Sequence, residues 1–179
     1  RVMVVEFTTK NGGKGYLVNV YQFCGTRLKP HMRLYHILNT VLAKLRSKSQ
    51  FILLGGDMNA TVPGSRIGYA TQCFPQDEAF QKWVEDNSLT APERRHTHTW
   101  RREGASAAAN LDQILMWQKE VAEDDASHTI TRASRNNGHD HAILRVALSD
   151  QYIRRPTTSN SVRLRERLDM KRWQFVAPQ

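Results

Sequence analysis

The sequence predicts an α/β domain, and three observations carry that prediction. Two apolar segments flank a glycine-rich turn, which is typical of a β-hairpin. A long amphipathic segment then separates this hairpin from another apolar run, so a strand–helix–strand unit is expected. Acidic side chains stand at one end of three apolar runs, as they do at the ligand-binding edge of open α/β sheets.

The first two strands are predicted to form the hairpin. They cover residues 1–9 ("RVMVVEFTT") and 16–23 ("YLVNVYQF"), with "KNGGKG" as the turn between them. This turn lacks the spacing of a phosphate-binding P-loop, and no helix follows it. We therefore interpret its glycines as turn residues and not as a phosphate cradle.

Residues 30–49 are predicted to form a helix, because apolar residues recur there every three or four positions. The predicted apolar face comprises Met32, Leu34, Ile37, Leu38, Val41, Leu42 and Leu45. Pro30 suits the first helical turn. A strand at 51–55 completes the strand–helix–strand unit. A shorter helix is predicted around 77–87, with Phe80, Trp83 and Val84 on one side.

Further strands are predicted at residues 96–100, 111–116 and 141–148, and 127–133 is a weaker candidate. Residues 102–110 are rich in small side chains, so we expect a loop there.

The composition changes beyond residue 148. Residues 150–179 contain seven Lys and Arg against three Asp and Glu, and they have few apolar residues before Trp173. We therefore predict two parts, a domain at 1–149 and a basic linker or tail at 150–179.

The composition is that of a globular protein, with 40% hydrophobic and 24% charged residues, which argues against a disordered chain. Two cysteines, Cys24 and Cys73, are too few for a disulfide framework and have no metal-binding spacing. No apolar run approaches the roughly 18 residues of a membrane span, so no membrane partner is expected. The net charge of +9 suits a polyanion such as nucleic acid.

The stretch "FILLGGDMNA" runs an apolar strand directly into Asp57 and Asn59, which share a face if the strand continues. Asp112 opens the strand "LDQILM", and Asp140 with His141 opens "HAILRVAL". Any one of these acids alone is more simply a turn residue. Three together, one beside an imidazole, form a set that can hold Mg²⁺ and hydrolyse a phosphate ester.

The motifs "GGDMN", "TW…LDQIL", "GHDHAIL" and "NVYQ" together resemble the signature elements of the endonuclease/exonuclease/phosphatase superfamily. These are its GDxN element, its strand with a catalytic Asp, its closing Asp-His and its strand with an active-site Tyr. The resemblance covers about residues 1–148. It implies a four-layered sandwich, in which two mixed β-sheets lie face to face with helices outside.

The resemblance also implies residue roles. Asp57 would orient or deprotonate the attacking water, and Asn59 would hold the phosphate and stabilise its transition state. Tyr21 would donate a hydrogen bond to the phosphate. Asp112 would orient His141, which would bind the scissile phosphate.

Asp140 would help to bind the divalent metal, Mg²⁺ or alternatively Mn²⁺. The sequence departs from the family pattern at Asn110, where a basic residue is usual, and at His139, where Ser is frequent. Both changes could alter substrate binding or pH response. The histidines at 31, 36, 96, 98, 128 and 139 form no convincing metal pair, and "HTHTW" is interpreted as an edge or half-exposed strand.

The family's N-terminal half contributes an Asn and a metal-binding Glu at strand ends. The chain begins with Arg1 and has no room for either residue, and Glu6 lies inside a strand segment, where we expect an ordinary strand residue. We therefore expect the chain to be the C-terminal part of the domain, with the N-terminal part missing.

Within the superfamily, "QFILLGGDMNA" and the tail "RLRERLDMKRWQF" resemble the apurinic-type endonuclease domains of non-LTR retrotransposons. That resemblance implies a duplex DNA target, a reverse transcriptase domain downstream in the same polypeptide and a nuclear location. The candidate phosphate contacts are Arg101, Arg102, Arg154 and Arg155.

Two other functions remain open at this point. The chain could be an inactive remnant that at most binds nucleic acid. It could also be a phosphatase of small or lipid phosphates, although such an enzyme would be expected to have a less basic surface and no basic tail.

Overall fold

The computed structural model describes residues 1–9, 12–25, 27–69, 74–91, 93–94, 98–101, 106–119, 129–132, 140–142 and 144–147. The strands are β1 (Val2–Thr8), β2 (Lys14–Tyr21), β3 (Phe51–Asp57), β4 (Glu93–Arg94), β5 (Trp100–Arg101), β6 (Ala108–Ala109), β7 (Asp112–Gln118), β8 (Thr129–Arg132) and β9 (Leu144–Ala147). The helices are α1 (Leu28–Arg46) and α2 (Pro75–Asp86). Within the described ranges, no helix is both long enough and apolar enough to cross a membrane.

The largest sheet has the strand order β1-β2-β3-β7. Strands β2 and β3 are parallel and are connected through α1, whereas β1 and β7 run antiparallel to their neighbours. A second mixed sheet has the order β4-β8-β9, and β5 pairs with β6 separately. Mixed sheets with two helices confirm the predicted α/β class.

Both helices pack on one face of the large sheet and form the core with it. The sheet contributes alternate residues such as Val18, Leu54 and Leu115, as expected for side chains with a period of two. The ring of Tyr35 on α1 stacks on Trp83 of α2, with ring centroids 5.1 Å apart. The core therefore fixes the positions of β2, β3 and β7, the strands that carry Tyr21, Asp57 and Asp112.

Helix α1 begins two residues before the predicted position, and its buried stripe is narrower than expected. Leu34, Leu38 and Leu42 are buried as predicted, but Met32 and Ile37 are 50% and 43% exposed. His31, which sequence reasoning set aside, is fully buried. The sheet and α2 cover only the 31, 34, 35, 38, 42 stripe, so apolar residues on the flanks of the helix stay outside the core.

The segment "HTHTW" differs from the expected half-exposed strand. Within the described residues a strand begins only at Trp100, and His98 and Thr99 are buried, at 8% and 0% exposure. The predicted loop at 102–110 contains the short strand β6. The backbone of Thr99 bonds to Ala109 of β6 and to Ala142, so this residue lies between two other segments. The predicted tail at 150–179 lies outside the described residues, as does Cys73, while Cys24 is a free, exposed thiol.

A buried ion pair anchors the segment that follows β3. Arg66 Nε and Nη2 donate to the carboxylate of Asp77 at 2.7 and 2.8 Å, and both side chains are almost inaccessible. The same carboxylate accepts the backbone N–H of Thr61 at 3.0 Å. The start of α2 therefore fixes the loop that leaves the polar end of β3.

Candidate active site

Three predicted site residues stand side by side at one edge of the large sheet. Tyr21 on β2 pairs with Asp57 on β3, and Asp57 pairs with Asp112 on β7. Side chains at paired positions point to the same face. The strand register therefore brings together residues that are 36 and 55 positions apart in the sequence, on the face opposite the helices.

Gly56, immediately before Asp57, permits this arrangement. Its φ is +139°, and a Cβ added there would lie 1.9 Å from the carbonyl oxygen of Val20. Only glycine fits this close approach between β2 and β3. The glycine in "GGDMN" thus has a local steric function that is separate from the chemistry of Asp57.

Asn59 holds the carboxylate of Asp57 in place. Its backbone N–H donates to Asp57 Oδ1 at 2.9 Å, and its Nδ2 donates to Asp57 Oδ2 at 3.0 Å and to the carbonyl of Gln22 at 3.1 Å. Its φ of +47° turns the chain back towards Asp57. In this state both amide hydrogens are engaged, so the carboxamide orients Asp57.

Burial is the largest influence on Asp57, and it raises the pKa of this carboxyl above its ordinary value. The nearby charge of Asp112 raises the pKa further, while the hydrogen bonds from Asn59 and the charge of His141 lower it. A carboxylate with a raised pKa accepts a proton more readily near neutral pH. The environment of Asp57 therefore suits a general base.

Asp112 and His141 form a hydrogen-bonded pair. Nδ1 of His141 lies 2.9 Å from Oδ2 of Asp112, and both side chains are partly buried. The bond to Asp112 is the main cause that raises the pKa of His141, with smaller contributions from the charges of Asp57 and Asp140. The pair fixes the imidazole and leaves Nε2 available to another partner.

Asp140 is exposed and is placed differently from the other acids. Its Oδ2 accepts the indole N–H of Trp100 at 2.8 Å, and this bond is the main cause that lowers the pKa of Asp140. Its backbone carbonyl accepts the N–H of Arg101 at 3.1 Å. Arg101, a predicted phosphate contact, is therefore adjacent to the site, whereas Arg102, Arg154, Arg155 and His139 lie outside the described residues.

The donor set fits a divalent cation. Asp57, Asp112 and His141 each offer one ligand atom, and these atoms all lie within 4.8 Å of one another. Two carboxylates suit Mg²⁺ or Mn²⁺, and an imidazole is a more ordinary ligand of Mn²⁺ than of Mg²⁺. Asp140, the predicted metal ligand, is not in this compact group.

Glu6 lies far from these residues. It pairs with Tyr16, five residues before Tyr21 on β2, which is about 17 Å at the rise of a β-strand. Its carboxylate accepts bonds from the hydroxyl of Tyr16 at 2.8 Å and from Nζ of Lys14 at 3.1 Å. Its placement agrees with the predicted role of an ordinary strand residue.

Sequence reasoning missed three residues that touch the site. Gln22 accepts the Asn59 amide through its carbonyl and donates its backbone N–H to the carbonyl of Asp57 at 2.8 Å. Thr99 and Trp100 contact Asp112 and Asp140. All three lie inside the quoted motifs "NVYQ" and "TW", which was the available signal, but a motif does not show which group each residue contacts.

Comparison of the sequence with known protein families and with curated proteins finds no match. The structure, in contrast, is similar to solved nucleases and phosphatases. The 3′ phosphatase NExo from Neisseria, bound to a product DNA hairpin, is 18% identical with a TM-score of 0.62, over 83% of this chain and 65% of that one.

The catalytic domain of APE2 from Xenopus laevis is 18% identical with a TM-score of 0.52, over 85% of this chain and 55% of that one. A mannosyl-6-phosphatase from Bacteroides thetaiotaomicron is 15% identical with a TM-score of 0.53, over 82% and 55%. The chain thus spans 55 to 65% of the length of these proteins. Its fold is the one that endonuclease/exonuclease/phosphatase proteins share.

Proposed function

We propose that this chain is the catalytic part of a metal-dependent phosphodiester hydrolase. The observation that carries the proposal is the convergence of Asp57 with the Asp112–His141 pair within 4.8 Å, at one edge of a mixed sheet. Two carboxylates and an oriented imidazole form a set that can hold a divalent ion and hydrolyse a phosphate ester. The shared fold supports the same reaction class.

In the proposed mechanism, Asp57 orients the attacking water and accepts its proton, which its raised pKa favours. Asn59 keeps the carboxylate in position through its two bonds. His141 is held by Asp112, which also raises its pKa, and in its protonated form it stabilises negative charge on the phosphoryl oxygens through Nε2. Tyr21, 54% exposed on the same face, donates its hydroxyl to the phosphate.

A divalent ion, when bound, would neutralise charge on the phosphate and on the leaving oxygen. The proposal allows two binding sites for this ion. Asp140 can bind it with the help of substrate oxygens and water, or the compact group of Asp57, Asp112 and His141 can hold it. In the second case, Asp57 would serve as a metal ligand and not as the base.

The proposed substrate is duplex DNA, cut by a nicking endonuclease of the kind found in non-LTR retrotransposons, with a reverse transcriptase downstream and a nuclear location. The net charge of +9 supports a polyanionic substrate. The neighbour NExo, which is bound to a DNA hairpin, supports DNA in particular. The arginines at 101, 102, 154 and 155 are the proposed phosphate contacts.

Nicking of supercoiled plasmid tests this function, with the full natural polypeptide that contains this chain. We expect nicking with Mg²⁺ or Mn²⁺ and none in chelator. Asp57→Ala and His141→Ala should each reduce the rate on the order of 10²-fold or more. The matched controls Asp86→Ala and His36→Ala remove an exposed carboxylate and an exposed imidazole from the helices and should leave nicking intact.

Unchanged nicking by Asp57→Ala or His141→Ala would show that the assigned roles are wrong. A phosphatase is the second candidate, because one structural neighbour is a mannosyl-6-phosphatase. Phosphate release from sugar phosphates or from a 3′-phosphorylated oligonucleotide, without plasmid nicking, would favour that candidate.

A further inference from the structure

Thr99 and Trp100 take no part in the chemistry described above, yet they contact both acids that flank His141. The two residues end the segment "HTHTW", which was interpreted as an edge or half-exposed strand, and they form the "TW" of the quoted motif "TW…LDQIL". In the fold this segment lies between β6, which follows it closely in the sequence, and residues 140–142, which come from a distant part of the chain.

Thr99 is fully buried and is held on both sides by its backbone. Its N–H donates to the carbonyl of Ala109 at 3.0 Å, and its carbonyl accepts the N–H of Ala142 at 2.7 Å. Its Oγ1 accepts the backbone N–H of Asp112 at 3.0 Å. The hydroxyl thus satisfies the first peptide group of β7 and fixes where Asp112 begins that strand.

Trp100 contacts the other acid. Its Nε1 donates to Oδ2 of Asp140 at 2.8 Å, and its backbone pairs with Ala109 on one side and bridges to His141 on the other. The indole therefore holds the carboxylate of Asp140 while the neighbouring backbone holds the residue itself. An indole N–H is a donor only and does not titrate, so it constrains one oxygen and leaves the other available.

The ring of Trp100 is supported from behind. Tyr69 lies against it, with ring centroids 6.5 Å apart. The segment that carries Tyr69 pairs with β6 through Ile67 and Ala108, whose backbone bonds measure 2.8 and 2.9 Å. Trp100 is therefore only partly exposed and has an aromatic neighbour on a segment that β6 holds in place.

We infer that Thr99 and Trp100 are positioning residues of the proposed hydrolase, and that together they set the position of Asp140 relative to the Asp112–His141 pair. Thr99 acts through Asp112 and Trp100 acts through Asp140. This inference rests on the proposed function. Partners of this kind, which orient metal ligands and catalytic groups, typically change metal affinity or activity by 10- to 100-fold when removed.

Metal binding at Asp140, the first of the two proposed binding sites of the ion, separates the role of Trp100 from general stability. Trp100→Phe keeps the ring and removes the donor, and it should weaken Mn²⁺ binding, measured by calorimetry with the metal alone, by about tenfold or more. Trp83→Phe is the matched control, since the Trp83 indole donates at 2.8 Å to Asn39 between the helices, outside the site. That variant should bind Mn²⁺ as the wild type does.

Nuclear magnetic resonance provides a readout without turnover. In a ¹H–¹⁵N spectrum, the indole signal that disappears in Trp100→Phe should shift when Mg²⁺ is added, and the Trp83 signal should stay in place. Asp140→Asn should also move the Trp100 signal in the absence of metal, because it changes the acceptor of that hydrogen bond.

Thr99 requires a different readout, since it acts on Asp112. Thr99→Val is nearly isosteric but leaves the Asp112 N–H without its acceptor, so kcat should fall by about tenfold or more, while the affinity for an Mn²⁺ ion at Asp140 stays unchanged. Thr99→Ser retains the hydroxyl and should restore kcat. If Thr99 had only a structural role, the Val variant would lower kcat and Mn²⁺ affinity to the same extent, or would change neither.

The outcomes distinguish a failure of the proposed hydrolase function from a failure of the positioning role of Thr99 and Trp100. If the wild type binds no divalent ion and cleaves no phosphodiester, the proposed function fails, and the positioning role fails with it. If the wild type is active but Trp100→Phe behaves like Trp83→Phe, and Thr99→Val like Thr99→Ser, only the positioning role is overturned.

Discussion

Nδ1 of His141 lies 2.9 Å from Oδ2 of Asp112, although 29 positions separate the two residues in the chain. The pairing joins the first residue of β7 to a residue that bridges to Trp100. It determines which imidazole nitrogen faces the proposed phosphate, and it makes the protonation of His141 sensitive to Asp112.

The first prediction concerns this pair. Asp112→Asn should lower the pKa of His141, because the bond to Asp112 is the largest cause that raises it. The pKa is raised in the folded state, so the stabilisation is fully present below the unfolded value of about 6.5. It is lost as the pH rises through the raised folded pKa.

Imidazole chemical shifts followed against pH in metal-free protein give the pKa directly. Urea unfolding at about pH 5.5 and at pH 9 should show a larger stability difference between wild type and Asp112→Asn at the lower pH. An equal difference at both values would mean that the pair contributes nothing through protonation.

The second prediction separates the backbone of Asn59 from its side chain. Because φ is +47°, Asn59→Gly should keep the fold while removing the amide that holds Asp57. Asn59→Ala removes the same amide but should cost about 1 kcal/mol more in stability. Both variants should lose activity to a similar extent, by tenfold or more as an order of magnitude.

Thermal unfolding and hydrolysis rates, measured on both variants, check the prediction. If Asn59→Ala were as stable as Asn59→Gly, the left-handed backbone at this position would not be strained. Full activity in Asn59→Gly would show that Asp57 needs no support from the amide.

The third prediction concerns the buried Arg66–Asp77 pair. Asp77→Asn should destabilise the protein by about 3 to 5 kcal/mol, because it leaves the buried Arg66 charge without a counter-charge. The control Asp86→Asn breaks the exposed pair with Lys82 and should cost about 0 to 1 kcal/mol. Similar midpoints of urea unfolding for the two variants would contradict the prediction.

The fourth prediction concerns an apolar surface of the first hairpin, which consists of Met3, Val5 and Leu17 on the face that carries Asp57. These residues are 47%, 44% and 40% exposed. The chain should therefore aggregate readily, and the double variant Val5→Thr with Leu17→Thr should reduce aggregation while keeping strand propensity.

Static light scattering at several concentrations measures the effect. Val18→Thr is the contrasting variant, because Val18 is 1% exposed in the core and its replacement should destabilise the fold without improving solubility. Undiminished aggregation in the double variant would show that a different surface of the protein causes the aggregation.

The fifth prediction concerns residues 150–179, which we propose to contact DNA phosphates. Their deletion should reduce the dependence of DNA affinity on salt, because fewer counterions are released on binding. Titration of a fluorescent duplex at several salt concentrations gives the slope for the full chain and the truncated chain. An unchanged slope would exclude contact between the tail and phosphates.

Much of the fold was predictable from local pattern. The first hairpin, both helices and the strands around residues 51 and 112 follow from the spacing of apolar residues, because that spacing determines which face can be buried. The identities of Asp57, Asn59, Asp112 and His141 as a candidate set also came from the sequence, through the quoted motifs.

Other features depended on contacts between distant segments. Met32 and Ile37 fit the apolar period of α1 but lie beyond the area that the sheet and α2 cover. Burial of Thr99 follows from pairing with β6, which no local pattern of "HTHTW" indicates. These outcomes depend on which surface each element meets.

The sequence by itself indicated the candidate site residues and the approximate positions of both helices and of the strands β1, β2, β3 and β7, since propensity and periodicity are local properties. Only the tertiary structure decided the register that aligns Tyr21, Asp57 and Asp112, and the bond between Asp112 and His141. It also decided that the indole of Trp100 donates to Asp140 and that the side-chain amide of Asn59 donates to Asp57. Register and side-chain direction are set by packing across the whole sheet, so no short stretch of sequence contains them.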